Sequence, residues 1–156
     1  MCGNEGDLRI SRVAARELHE LRRRVLRGNN PATSVADARD EETTALHFGG
    51  WIGERLVVSA SFYPTEAPVN SELPSFQLRY MATDFDVQGL GYGARVLEAA
   101  EGELRQRGAR QLWANGRDTA LGFYLATGWN TIEGSQHLSP ETQLPHTVIY
   151  KLVGEH

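Results

Sequence analysis

The sequence lacks the features that mark several large classes of protein. Its 156 residues contain one cysteine, Cys2, so no disulfide can form within the chain and a reducing compartment is expected. No apolar run is long enough to span a bilayer, and the first residues do not have the pattern of a signal peptide. We therefore expect a cytoplasmic protein that does not bind a membrane.

The chain also has fewer positively charged than negatively charged residues. The net charge is −4 at pH 7, which argues against a general affinity for nucleic acid or anionic lipid. The chain has no internal repeat and no linker, and its hydrophobic content of 40% is typical of a globular protein. One domain is therefore predicted over residues 1–156, without a metal site.

Hydrophobic periodicity predicts alternating strands and helices. Strands are predicted over 8–13, 43–51, 56–63, 75–83, 111–115, 129–133 and 147–153. Helices are predicted from 14 to stop signals that begin at Gly28, from 90 to a glycine cap at 108, and over 119–127. Hairpins combined with β-α-β crossovers predict an α/β (α+β) protein. Its single mixed, mostly antiparallel sheet has about six or seven strands and carries helices on both faces.

Three alternate glycines, Gly89, Gly91 and Gly93, stand where the second helix should begin, and they need an explanation. Each costs about 0.5–1 kcal/mol relative to alanine in regular structure. A ligand offsets this cost, because backbone without Cβ allows close approach and the first N–H groups of a helix have no helical partner. We therefore predict an anion site, most naturally for phosphates. The buried face of the helix that follows is expected to carry Leu90, Leu97, Ala100 and Leu104.

Two familiar phosphate-binding patterns fit poorly. The P-loop ending Gly-Lys-Ser/Thr is missing, and a Rossmann glycine turn normally lies in the first β-α unit rather than past mid-chain. An NAD-binding domain remains as an alternative hypothesis.

The pattern Gln-x-x-Gly-x-Gly after a strand that ends in Met-Ala-Thr-Asp resembles the acetyl-coenzyme A signature of the GNAT N-acetyltransferases. The run Gly122–Trp129, Gly-Phe-Tyr-Leu-Ala-Thr-Gly-Trp, is similar to a second signature of that family. The resemblance covers nearly the whole chain. It implies the GNAT fold and transfer of an acetyl group from acetyl-CoA to the primary amine of a small acceptor. It also implies a homodimer.

The resemblance also implies roles for individual residues. The backbone N–H of Met81 would face the thioester oxygen, and Tyr124 would protonate the departing thiolate; both are therefore catalytic candidates. The expected coenzyme contacts come from Met81, Ala82, Thr83, Gln88, Gly89, Leu90, Gly91, Tyr92, Gly93, Ala94, Asn115 and Tyr124.

The base that deprotonates the amine is not identified by any motif. Some relatives carry a glutamate four residues before the oxyanion donor, and here that position is Gln77. A water relay, His146 and His47 are the candidates. Many relatives have a pantetheine-binding asparagine where this chain has Arg117. Because the glutamate is missing, a non-catalytic acyl-CoA sensor or partner subunit on the same fold is the alternative function.

Arginines crowd the first predicted helix. They either form a solvated face or guide an anionic substrate or coenzyme phosphates. Arg79 on the fourth strand either forms a surface salt bridge or contacts an anionic acceptor. The arginines of the helix are Arg16, Arg22, Arg23, Arg24 and Arg27.

Overall fold

Eight strands form one sheet in the computed structural model, which describes residues 7–154. They are β1 (Arg9–Arg12), β2 (Leu46–Ile52), β3 (Arg55–Pro64), β4 (Ser75–Thr83), β5 (Gln111–Arg117), β6 (Asn130–Thr131), β7 (His137–Leu138) and β8 (Pro145–Leu152). Their order is β1-β2-β3-β4-β5-β8-β6, with β7 paired to β8. The β4–β5 pair is parallel, whereas β1–β2, β2–β3 and the three pairs made by β8 are antiparallel. The predicted mixed, mostly antiparallel sheet is confirmed, with the short β7 as an additional strand.

Helices occur in the three predicted places. The first consists of a 3₁₀ turn (Ala15–Leu18), the α-helical turn α1 (His19–Leu21) and a π-helical turn (Arg22–Leu26), which together we term the N-terminal helical segment. The others are α2 (Tyr92–Gln106) and α3 (Leu121–Ala126). Within residues 7–154, none of the helices has the length and apolar character needed to cross a membrane.

The buried face of α2 begins later than predicted. Leu97, Ala100 and Leu104 are buried as expected, but Leu90 precedes the helix and is 60% exposed. The spacing of seven residues from Leu90 to Leu97 is a coincidence of sequence, since Gly89 and Gly91, which flank Leu90, have positive φ and take the chain out of the helical path. Leu90 is therefore part of the glycine loop and contributes nothing to the core of α2.

The contacts of the chain group into two compact units. The first contains residues 7–63 and 80–102, and the second contains residues 64–79 and 103–154. In the second unit, Ser75–Gln77 pairs with Gln111–Trp113, and the Trp113 indole donates to the carbonyl of Thr65 at 3.0 Å.

Helices cover both faces of the β2–β3 hairpin in the first unit. A Cβ on Gly50 would lie 3.0 Å from a methyl group of Val96, so α2 packs closely on that face. His47 is three residues earlier on β2 and opposite Ser61, hence on the other face. Arg22 of the N-terminal helical segment donates to the Ser61 hydroxyl at 2.8 Å. The predicted helices on both faces are therefore present in this unit.

A buried ionic group fixes the N-terminal helical segment to the sheet. The Arg22 side chain is fully buried and donates to Asp40 Oδ2 at 3.0 Å and to the carbonyl of Val35 at 2.7 Å. The Tyr63 hydroxyl donates to the same carboxylate. Burial alone would raise the pKa of Asp40, but the hydrogen bonds from Arg22 and Tyr63 outweigh it and hold that pKa below its ordinary value. Asp40 is therefore ionised at neutral pH and neutralises Arg22.

Candidate functional site

The glycine loop, Gln88–Ala94, leads from β4 into α2. Gly89 and Gly91 both have φ +85°, a backbone conformation that L side chains rarely adopt. A Cβ built on either glycine would have no neighbouring heavy atom within 4 Å, so both face open space. The 15-residue α2 begins at Tyr92, immediately after them, and its first N–H groups carry the positive end of the helix dipole. The loop therefore offers accessible backbone donors to an anion.

The side chain of Gln88 takes part in the structure of the loop. Its amide nitrogen donates to the carbonyl of Thr83 at 2.9 Å, so it ties the loop to the last residue of β4. The Gln88 side chain thus contributes no charge and holds the loop in shape.

β4 is irregular at Tyr80. This residue has φ +59°, a conformation that costs a residue other than glycine about 1–3 kcal/mol. The Ser59 hydroxyl donates to the Tyr80 carbonyl at 2.8 Å, and the Arg22 guanidinium lies 4.0 Å from the centre of the Tyr80 ring. Tyr80 and Ala82 are buried, while Met81 between them is half-buried. The irregular backbone therefore lies directly before the predicted oxyanion donor.

Asp84, which directly follows β4, joins three elements. Its carboxylate accepts from Arg24 of the N-terminal helical segment at 2.5 Å and from Arg55 of β3 at 2.9 Å. Its backbone N–H donates to the carbonyl of Val57 at 2.8 Å. Burial alone would raise the pKa of Asp84, but the hydrogen bonds from the two arginines hold it below its ordinary value. No local sequence pattern predicts this cluster, because Arg24 and Asp84 are 60 residues apart.

We expect the substitution Asp84→Asn to lower stability and to weaken coenzyme binding. The amide cannot neutralise Arg24 and Arg55, but both arginines are partly exposed, so the loss should be about 1–2 kcal/mol. Loosening this junction should raise the Kd for acetyl-CoA severalfold, because the glycine loop begins only four residues later. Chemical denaturation and calorimetric titration measure the two effects.

The matched control for this prediction is Asp86→Asn. Asp86 also accepts from Arg55, at 2.5 Å, but its side chain is 63% exposed. We expect this variant to keep both stability and affinity. Equal losses in the two variants would mean that the general charge balance matters and the buried junction does not.

Tyr124 lies in the second unit, inside an aromatic group. It is 6% exposed, and its ring lies 5.1 Å from that of Phe123 and 5.4 Å from that of Trp129. A Cβ on Gly116 would approach the Tyr124 ring to 3.5 Å, so the glycine allows β5 to pack against α3. The ring of Tyr124 therefore has a fixed position.

The Tyr124 hydroxyl has the properties of a proton donor. Within residues 7–154 it makes no hydrogen bond to another protein group. Burial raises the pKa of this phenol above its ordinary value of 10.0, although the positive charge of Arg117 opposes part of that rise. The phenol consequently stays protonated near neutral pH.

Two other predicted residues lie on β5, near Tyr124. Asn115 is exposed and pairs with Val148 of β8. Arg117, where relatives carry an asparagine, is opposite His146 of β8 and is close enough to Tyr124 to influence its pKa.

His47 is poorly suited to act as a base. Its Nε2 lies 2.9 Å from the carbonyl of Asp40, so Nε2 must carry a proton, and its Nδ1 lies 2.8 Å from the Ser61 hydroxyl. Both ring nitrogens are therefore engaged, and the side chain is 5% exposed. Burial lowers the pKa of His47, so the residue is neutral. It belongs to the buried ionic group of Arg22 and Asp40.

Unlike His47, His146 keeps one ring nitrogen available. Its Nδ1 lies 2.8 Å from the carbonyl of Leu144 and so carries the proton, which leaves the lone pair of Nε2 available in the neutral form. Burial lowers the pKa of His146, and the charge of Arg117 lowers it further.

Gln77, the residue at the position of the missing glutamate, is buried in β4. Arg79 forms an ion pair with Glu141 at 2.6 Å.

Comparison with known proteins gives a consistent result. The chain matches the model of the acetyltransferase (GNAT) family over residues 15–129. An uncharacterized N-acetyltransferase of Bacillus subtilis (strain 168), YitI, is 26% identical over 148 residues, which make up 92% of this chain and 95% of that protein.

Solved structures share the fold. The ribosomal-protein-S18-alanine N-acetyltransferase of Escherichia coli has a TM-score of 0.69 at 18% identity, and the match covers 96% of each chain. An aminoglycoside 6′-N-acetyltransferase complexed with coenzyme A has a TM-score of 0.71 at 13% identity, with 95% of this chain and 98% of that chain covered. At these identities the similarity shows the fold alone.

Proposed function

The chain belongs to the acetyltransferase (GNAT) family and is an acyltransferase, and on that premise we propose that it transfers the acetyl group of acetyl-CoA to the primary amine of a small acceptor. Members of this family use acetyl-CoA and act on small-molecule or protein amines. The observation that carries the proposal is the exposed glycine loop at the start of α2, where Gly89 and Gly91 leave open space beside the backbone.

The residues of the glycine loop fit the diphosphate of the coenzyme. N–H groups from Gln88 through Ala94 would bind its oxygens, since nothing on Gly89 or Gly91 blocks their approach. Gln88 is neutral, so binding depends mainly on backbone donors and the dipole of α2. The proposed contacts of Leu90, Tyr92 and Gly93 are likewise made through the backbone.

We assign the end of β4 to the acetyl group. The backbone N–H of Met81 is proposed to donate to the thioester oxygen, and the backbone of Ala82 and Thr83 to pair with the pantetheine amides. A single donor directed at developing oxyanion charge is worth about 3 kcal/mol, or roughly a factor of 100 in rate. The irregularity at Tyr80 supports this role, because such strained backbone is retained where it serves a function.

Residues of the second unit are proposed to transfer the protons of the reaction. In the reaction the amine nitrogen forms a bond to the acetyl carbon, the carbon–sulfur bond breaks, and the thiolate takes up a proton. We propose that the Tyr124 hydroxyl donates that proton, because its raised pKa keeps it protonated and it has no competing hydrogen bond within the described residues. Asn115 is proposed to contact the coenzyme, and either Nε2 of His146 or a water relay removes the proton of the amine.

The test uses the full chain, acetyl-CoA and a broad panel of amines, with thiol release as the readout. We expect saturable binding of acetyl-CoA by calorimetry and thiol release that depends on one class of amine. An absence of acetyl-CoA binding by folded protein would refute the proposal, and binding without turnover on any amine would favour the sensor. A parallel titration with NADH should give no thermal shift.

A further inference from the structure

Three consecutive arginines of the N-terminal helical segment have different surroundings. Arg22 is fully buried and bonds to Asp40, and Arg24 forms ion pairs with Glu20 and Asp84. Arg23, between them, forms no ion pair within the described part of the chain. The segment thus satisfies the charges on either side of Arg23 and leaves this one uncompensated.

The Arg23 side chain is partly buried. Its Nε is buried, and no described residue accepts a hydrogen bond from that atom. A buried donor without an acceptor is unfavourable, and a charged one is more so. The Nε atoms of Arg22 and Arg27 are buried without an acceptor as well, but other nitrogens of those two guanidinium groups donate to protein carbonyls. Arg23 has no such acceptor within residues 7–154, and its two Nη groups are not buried, so they are left for a ligand.

Arg23 is on the same segment as two arginines that lie beside Tyr80. The backbone N–H of Arg27 donates to the carbonyl of Arg23 at 3.1 Å, so the two residues are one turn apart on the same side of the segment. The Arg27 guanidinium lies 5.9 Å from the centre of the Tyr80 ring, and that of Arg22 lies 4.0 Å from it. Tyr80 directly precedes Met81, the proposed oxyanion donor.

The backbone around Arg23 is also irregular. Arg22–Leu26 forms a π-helical turn, a rare conformation that occurs frequently at functional sites. The carbonyl of Arg23 accepts from both Arg27 and Asn29, at 3.1 and 2.9 Å, which closes the end of the segment. The turn therefore holds the Arg23 backbone in place while its side chain lacks a protein partner.

We propose that Arg23 binds a carboxylate carried by the acceptor, so that the substrate is an amine with a nearby acid group, such as an amino acid or a short peptide. This inference rests on the proposed acetyl transfer and narrows its acceptor. A guanidinium matches a carboxylate with two parallel hydrogen bonds, which orients the acceptor as well as attracting it.

The experiment compares dipeptides that differ only at the C-terminus, a free carboxylate against a carboxamide. For the unaltered protein we expect kcat/KM to be at least about tenfold higher with the carboxylate. In Arg23→Gln this preference should fall to near unity, mostly through KM for the dipeptide, with KM for acetyl-CoA unchanged. Arg23→Lys should retain part of the preference, because it keeps the charge and loses the paired hydrogen bonds.

The matched control is Arg16→Gln, at an exposed arginine of the same segment, which should keep the full preference. Equal use of the two dipeptide forms by the unaltered protein would overturn the inference, as would an equal loss in both glutamine variants. So would calorimetry in which coenzyme-loaded protein binds neither form. These outcomes leave acetyl-CoA binding and the turnover of other amines intact, whereas failure of the proposed function would abolish acetyl-CoA binding itself.

Discussion

The substitution Tyr124→Phe should lower kcat at least tenfold and leave the Kd for acetyl-CoA within about a factor of two. Phenylalanine keeps the ring that packs against Phe123 and Trp129, so only the hydroxyl is lost. Without that hydroxyl the thiolate must take its proton from water, which affects the chemical step and not binding. Steady-state kinetics with a saturating acceptor, together with calorimetric titration, separate the two quantities.

The pH profile provides a second readout of the same prediction. Because burial raises the pKa of Tyr124 above 10.0, kcat of the unaltered protein should show no alkaline decline below about pH 10. Tyr150→Phe is the matched control, since it removes a hydroxyl from another tyrosine of the same unit and should keep kcat. An unchanged kcat in Tyr124→Phe would remove this residue from the mechanism.

The part of the fold that local sequence specifies was predicted well. β4 covers the predicted residues 75–83, because alternation of apolar and polar side chains directly encodes burial on a pleated strand. α2 ends near the predicted cap, Gly108, which has φ +96°. Periodicity wrongly predicts Leu90 in the helix, because it takes no account of the backbone turn made by two glycines of positive φ, Gly89 and Gly91.

The parts that depend on distant residues were not predicted. β7 is two residues long and exists only because it pairs with β8, so its own sequence carries little signal. The ion pairs of Asp84 and the hydrogen bonds of His47 join residues far apart in the chain, and propensity does not describe them. The glycine loop and Tyr124 stand out in the sequence because each belongs to a contiguous motif, and their roles stay predictions. His146, a candidate base, belongs to no such motif.

The largest expected effect on binding comes from Gly91→Val. A valine at φ +85° is strained by about 1–2 kcal/mol, and its Cβ would project into the open space beside the loop. If the diphosphate occupies that space, the side chain and the displaced N–H groups should raise the Kd for acetyl-CoA at least tenfold. Calorimetric titration gives the affinity, and thermal unfolding gives the accompanying loss of stability.

Gly108→Val separates strain from binding. Gly108 also has a positive φ and no heavy atom within 4 Å of its built Cβ, but it follows the other end of α2. The two valine variants should therefore lose similar stability, because the backbone conflict is alike, and only Gly91→Val should lose acetyl-CoA affinity. If both variants bind acetyl-CoA as tightly as the unaltered chain, the diphosphate does not bind at the glycine loop. If both lose affinity in proportion to stability, the loss reflects general loosening of the fold, since only a phosphate site at the loop distinguishes two glycines with such similar surroundings.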